Sequence, residues 1–403
     1  MPAPLHRTVR SLGLVSLLTD ASSEMIYPLL PAFLTGTLRA GPAFLGVVEG
    51  LAEAVAAALK IVSGRLSDRL PRRKPLVVAG YSLSSLVRPL VALAAAPAHV
   101  LAVRLLDRVG KGVRSAPRDA LLAEVVPREQ RGRAFGFQRA MDHAGAMVGP
   151  LLASAALVVT SDLRAVFALA AIPAALAVAT LVLGVREGPR PTVASAGRAR
   201  VPASAGSDPL EPGLRRYLGV LALFTLGNSS DAFLLLRAQE AGVSLAAIPA
   251  LWALHHAVKS AASTWGGALS DRVGRRRVIL AGWAVYALAY AGFALAASPP
   301  AIIVLLAFYG LFHALTEGAE RALVADLAGE VTRGRAFGLF HAVTGATLLP
   351  ASLLTGLLWQ QFGASAALGA GGALAALAAL GLLLLVPEPP PRGSGTLGAP
   401  PRG

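Results

Sequence analysis

The chain has 403 residues, of which 55% are hydrophobic and only 15% charged, with a mean hydropathy of +0.62. Soluble domains are about half apolar and a quarter charged, so this balance excludes a pair of ordinary soluble domains and indicates a membrane protein. The absence of cysteine excludes disulfides, thiolate metal sites and cysteine nucleophiles, and the net charge of +15 must be explained by where the basic residues fall.

Segments long enough to cross about 30 Å of hydrocarbon as helices follow one another at 9–37, 42–64, 75–96, 98–122, 137–160 and 164–185. A second series follows at 216–240, 244–267, 277–297, 299–324, 338–361 and 366–387. The first segment carries Asp20 and Glu24 and lacks a small-residue cleavage pattern, so it reads as a retained span and not as a leader. The expected organisation is an N-terminal six-helix bundle (1–187), a flexible Pro/Ala/Ser/Arg linker (188–214), a C-terminal six-helix bundle (215–388) and a disordered Pro/Gly-rich tail (389–403).

Basic residues alternate with the spans. Arg7, Arg10, the runs Arg69 to Lys74, Arg128 to Arg133, Arg186 to Arg216 and Arg272 to Arg277, and Arg333 with Arg335 fall on one side; the other holds little more than Arg39 and Arg164. The positive-inside rule then places both termini in the cytoplasm. No aromatic-interleaved basic patch accompanies the charge, which argues against nucleic acid, whereas contact with anionic lipid headgroups is expected.

Three features recur about 200 residues apart. GRLSDRLPRRK at Gly64 returns as GALSDRVGRRR at Gly267, RGRAFGFQRA at Arg131 as RGRAFGLFHA at Arg333, and Ser22-Ser23-Glu24 has a fainter echo in Ser229-Ser230-Asp231. Duplication of a six-span unit in the same orientation explains all three.

With these motifs the chain resembles the major facilitator superfamily over nearly its whole length. The signature Gly-x-x-x-Asp-Arg-x-Gly-Arg-Arg/Lys is met by Gly267, Asp271, Arg272, Gly274, Arg275 and Arg276; the first copy has Gly64, Asp68, Arg69, Arg72 and Arg73, with Pro71 replacing a glycine. A Gly-x-x-x-Gly-Pro pattern stands at Gly145, Gly149 and Pro150, and LLDRVGKGVRSAPRDALLAE from Leu105 is similar to the fourth helix of a poorly characterised prokaryotic branch. The resemblance implies an all-α fold of about twelve helices in two bundles related by pseudo-twofold symmetry, in a prokaryotic inner membrane. It also implies that the first, fourth, seventh and tenth helices line a central cavity, that the Asp and Arg of the basic turns act as a cytoplasmic gate, and that the fifth-helix motif marks antiporters.

Elementary chemistry supplies parallel readings. Asp68 and Asp271 can pair with Arg72 and Arg275 and face a helix N-terminus, forming a latch, or these charges only fix topology. Gly145, Gly149 and Pro150 permit a bend or simply tight packing.

Ionisable groups inside spans are costly and so are functional candidates. Asp20 with Glu24, and Glu49 with Glu53, lie one turn apart; such carboxyls can exchange protons, or form structural pairs with Arg88 or Lys60. Arg104, Arg108, Lys111 and Arg118 share one face of the fourth span with Asp107 beside them, which suits an anionic solute. The second half adds Asn228 and Asp231, then His255, His256 and Lys259, then His313 and Glu317, as proton-relay or hydrogen-bonded packing groups. Glu24, His313 and Glu317 are candidate metal ligands, although no His-Glu-x-x-His spacing occurs.

The leading expectation is a monomeric secondary transporter exporting a small polar or anionic solute, with a proton as coupling ion and no cofactor. Transport of a metal ion or chelate is an alternative, and a non-transporting membrane sensor another. An enzyme is disfavoured because no nucleophile elbow, phosphate-binding loop or zinc-protease motif is present.

Overall fold

The computed structural model describes residues 6–126, 131–187, 211–327 and 333–387, with side chains at all of these positions except 61, 64, 65, 68, 69, 123, 131–133, 136, 263, 264, 267, 268, 271 and 333–335. Of the expected linker and tail, 188–210 and 389–403 lie outside the described residues, and the helix Pro212–Gly227 begins within the stretch expected to be linker. The described residues form helices without strands.

Among the described residues the helices are arranged as twelve spans, numbered in chain order. Span 1 is the helix Arg7–Ile26, extended by single turns of 3₁₀ and π geometry at Tyr27–Leu29 and Phe33–Thr37. Pro28 and Pro31 remove backbone donors there, which is the ordinary cause of such irregular turns. Span 2 is Pro42–Arg69, span 3 Lys74–Leu93, span 4 Pro97–Glu124, span 5 Arg131–Thr160 and span 6 Leu163–Gly184. Span 7 comprises Pro212–Gly227 and Ala232–Glu240; spans 8, 9 and 10 are Ala247–Val273, Arg275–Leu295 and Pro299–Leu327. Spans 11 and 12 share the helix Arg333–Leu385, which turns at Gly363, where φ of 83° favours a residue without a Cβ.

Among the described residues eight stretches satisfy length and hydropathy for crossing on their own, one of them holding spans 11 and 12 together. Spans 1, 4 and 8 fall outside that set. They are the spans that carry Asp20 and Glu24, the Arg104 to Lys111 stripe, and His255, His256 and Lys259. Low hydropathy therefore coincides with the interior charges, and tertiary packing holds these helices in place.

Spans 1, 5 and 6 pack together, span 4 joins spans 2 and 3, and span 10 joins spans 8 and 9. The two halves meet along span 2 against span 11 and span 5 against span 8. Toward the end opposite the Arg-rich turns, a Cβ on Gly50 would come within 2.7 Å of Leu349, and one on Gly356 within 2.7 Å of the Pro42 carbonyl. Nearer the basic end, the same contact at Gly345 relaxes to 3.3 Å from the Ala57 side chain. At these positions of the span 2 and span 11 seam the packing is closer toward the far end.

The two halves carry similar ties, one residue out of step with the sequence repeat, which aligns Lys74 with Arg277. The Lys74 ammonium donates to the carbonyls of Val182 and Val185 at 2.9 and 2.7 Å, and the Arg276 guanidinium to those of Leu383 and Val386 at 3.4 and 2.8 Å. Cations at helix C-terminal carbonyls are favourable in hydrogen bonding and in dipole interaction.

Candidate functional site

The fourth-span stripe is largely neutralised by carboxylates from neighbouring spans. Arg104 meets Glu49 at 2.7 Å and Arg108 meets Glu53 at 3.3 Å, so two pairs with the same four-residue spacing form a ladder between spans 2 and 4. Asp107 holds Arg88 at 2.7 Å, and Arg88 also donates to the Thr19 carbonyl at 2.9 Å. Glu49 and Glu53 therefore pair with span 4 and not with Arg88 or Lys60. Arg114 donates to Ser84 at 2.7 Å and lies 4.4 Å from the Tyr81 ring centroid.

Lys111 and Asp20 differ from these pairs. Among the described residues neither side chain makes an ion pair or hydrogen bond, while each lies within electrostatic reach of the other. Asp20 is also within reach of Glu24, Arg114 and Asp142. Asp142, a fifth-span carboxylate that sequence reasoning passed over, accepts from Gln138 at 3.0 Å and faces Arg139 at 3.6 Å.

The fifth-span motif determines how closely this set can assemble. Gly145 faces the Leu17 carbonyl and Gly149 the Ala21 carbonyl, leaving no room for a side chain. The helix continues through Pro150 to Thr160. Of the two readings of Gly145, Gly149 and Pro150, close packing is the one this geometry displays, and it sets span 5 directly beside Asp20.

The two halves join above the charged set. The Trp252 indole donates to Glu24 at 2.7 Å; Tyr27 and Ser230 hydroxyls lie 3.3 Å apart, and Ser230 donates to Glu49 at 3.4 Å. Arg104 lies 5.5 Å from the Tyr27 ring centroid, and that ring tilts against Trp252. Neither Tyr27 nor Trp252 was found from sequence. The available signal was a polar-tipped aromatic inside an otherwise aliphatic span, since such tips need a partner when buried.

The seventh span is not the continuous helix its hydropathy suggested. Its first segment ends at Gly227, its second begins at Ala232, and Asn228 to Asp231 lie between the two helices, the Asp231 carbonyl accepting the first backbone bonds of the second. Asp231 thus stands at the start of a half-helix, accepting the Tyr309 hydroxyl at 2.7 Å. Unwound backbone at membrane depth is tolerated where protein or a wet cavity surrounds it.

Beside the break, His255 is buried with its ring 5.0 Å from Trp252, 5.3 Å from Tyr309 and 5.5 Å from His313. Its Nδ1 faces the Leu306 carbonyl at 3.2 Å. Lys259 pairs with Glu317 at 2.7 Å, and His313 Nδ1 faces the same carboxylate at 3.8 Å. Neither ring nitrogen of His256 has a hydrogen-bond partner among the described residues. The ligand atoms of Asp231, His255 and His313 lie within 4.8 Å of one another. His313 is therefore grouped with Asp231 and His255, and Glu24 and Glu317 are not part of that set.

At the basic end, the side chains of Gly64, Asp68, Arg69, Gly267 and Asp271, and with them the expected latch carboxylates, lie outside the described residues. Arg72 and Arg272 are exposed. The buried cation is the next residue, Arg73, which meets Glu124 at 2.6 Å and Ser67 at 3.1 Å. Arg275 repeats this arrangement with Asp326 at 3.6 Å and Ser270 at 2.7 Å. Glu187 accepts from the Arg73 and Lys74 amides at 2.7 and 2.9 Å, capping span 3.

Comparison with known proteins places this architecture. An uncharacterized MFS-type transporter of Methanocaldococcus jannaschii is 36% identical over 363 residues, covering 88% of this chain and 89% of its own length. An uncharacterized protein of Mycobacterium tuberculosis is 31% identical over 360 residues, with 88% and 87% covered. The multidrug resistance protein MdtH of Cronobacter sakazakii is 31% identical over 150 residues, 36% of this chain and 37% of that protein. Among solved structures, a bacterial homolog of the human lysosomal transporter Spinster, inward-facing and occupied, superposes with a TM-score of 0.76 at 17% identity, covering 94% and 96% of the two chains. The nucleoside transporter NupG gives 0.77 at 11% identity, covering 94% and 98%. The pattern of the Major Facilitator Superfamily matches residues 12–255 and 218–402, and the chain belongs to that family of membrane transporters.

Proposed function

We propose that this transporter exports a small polar or anionic solute across a prokaryotic inner membrane in exchange for protons, by alternating access of the central site. The Arg-rich turns then face the cytoplasm, as the positive-inside rule requires. The observation that carries the reading is the contact of Glu24 with Trp252 across the two halves at 2.7 Å. A carboxyl that bridges the halves ties its protonation to their separation. Charges facing it come from span 4, as Arg104, Arg108 and Lys111, and Asp20 lies one turn away on its own helix.

Lys111 is the natural partner for an anionic group, because Arg88, Arg104 and Arg108 already hold carboxylates. Export is supported by the Gly145, Gly149 and Pro150 pattern and by partial similarity to a protein named for multidrug resistance. No cofactor is called for.

The test uses proteoliposomes with a luminal pH dye. A panel of radiolabelled carboxylic acids should include one that accumulates when the lumen is made acidic, with proton efflux on its entry. Accumulation driven by an alkaline lumen would replace exchange with symport, and flux indifferent to pH would remove the proton.

A further inference from the structure

We infer that Asp231, His255 and His313 form a binding site for one divalent transition-metal ion in the second half, beyond any role these residues have in moving an organic solute. Two imidazoles and a carboxylate are a donor set suited to Zn²⁺, Co²⁺, Ni²⁺, Fe²⁺ or Mn²⁺, and poorly suited to Ca²⁺ or Mg²⁺, which prefer oxygen. Their ligand atoms already lie within 4.8 Å of one another. Donors about 2.1 Å from a shared ion sit roughly 3 to 3.5 Å apart, so small side-chain rotations complete the shell.

The surroundings of each donor provide the independent argument. His255 turns Nδ1 to the Leu306 carbonyl at 3.2 Å, which leaves Nε2 as the ring's remaining nitrogen. His313 turns Nδ1 toward Glu317 at 3.8 Å, and its Nε2 is buried with no hydrogen-bond partner among the described residues. Asp231 commits Oδ1 to Tyr309 at 2.7 Å, leaving Oδ2. Backbone carbonyls, carboxylates and hydroxyls behind metal ligands fix their orientation in the same manner.

A packing role does not account for a bare Nε2 on His313, because an unmet buried polar atom costs stability that an apolar residue of similar size would not. Net charge fits as well. Lys259 and Glu317 offset each other at 2.7 Å, so Asp231 and two neutral imidazoles face the incoming cation without a repelling neighbour in direct contact. The break in span 7 supplies the position, placing Asp231 at the start of a half-helix beside spans 8 and 10.

The test titrates the purified full chain in detergent with Co²⁺ alone. One saturable equivalent with visible ligand-field absorption is expected, together with quenching of Trp252, whose ring lies 5.0 Å from His255. His313→Gln and Asp231→Asn should each weaken Co²⁺ by at least about tenfold, while His99→Gln leaves it unchanged. Melting without metal shows whether each variant is folded. Should one be unfolded, Cu²⁺ electron paramagnetic resonance of the unaltered chain supplies the second reading, with hyperfine splitting from two imidazole nitrogens expected. No saturable Co²⁺ binding below about 1 mM, equal affinity in folded His313→Gln and Asp231→Asn, or splitting from fewer than two nitrogens overturns the site. Binding is read at equilibrium without flux, so this result and the proton-exchange result can fail separately.

Discussion

Glu24 and Trp252 lie on different halves of the molecule, yet the indole of one donates to the carboxyl of the other at 2.7 Å. Glu24→Gln retains an oxygen acceptor for that bond and removes the titrating charge. Proteoliposomes of this variant should keep solute exchange and lose accumulation driven by pH. Trp252→Phe removes the donor and leaves the carboxyl, so both activities should fall together.

Glu49 and Arg104 are buried and 2.7 Å apart. Removing one partner strands the other's charge, at a cost of about 3 to 5 kcal/mol. Thermal melting should show a large loss for Glu49→Gln and for Arg104→Gln, and recovery of more than half of it in the double variant. Equal, additive losses would mean the pair is not coupled.

Arg73 and Arg275 make equivalent contacts one residue out of step with the sequence repeat, which aligns Arg72 with Arg275, the first meeting Glu124 at 2.6 Å and the second Asp326 at 3.6 Å. Arg73→Ala and Arg275→Ala should both lower the melting temperature, Arg73→Ala more because its geometry is closer. Arg72→Ala, at an exposed position, should stay within about 0.5 kcal/mol of the parent.

Gly50 and Gly356 sit in the far-end seam, where a Cβ would come within 2.7 Å of the facing half. Gly356→Leu should hold that end apart. The chain has no native cysteine, so Ser230→Cys provides a clean reporter. Its labelling by a membrane-impermeant maleimide should be slow in the parent background and several-fold faster with Gly356→Leu.

The spans and the duplication were legible because bilayer thickness imposes a length on every apolar run, and because repeated basic turns keep their spacing. Interior charges were legible for a similar reason, since Asp20, Arg104 and His255 stand out against aliphatic neighbours. Partners were not. Whether Glu49 meets Arg88 or Arg104 depends on helix rotation and separation, which local sequence does not encode. The break at Asn228 to Asp231 was hidden too, since apolar residues flank it on both sides and its polar run fits a helix as readily as a loop. Arg72 and Arg73 are chemically alike, and only the turn's path decides which one is buried.

Lys74 and Arg276 stitch the ends of neighbouring helices together within their own halves. A bundle fastened in this way resists internal shear, so the two seams between the halves, where Glu24 meets Trp252, are the parts of the molecule left without such stitching.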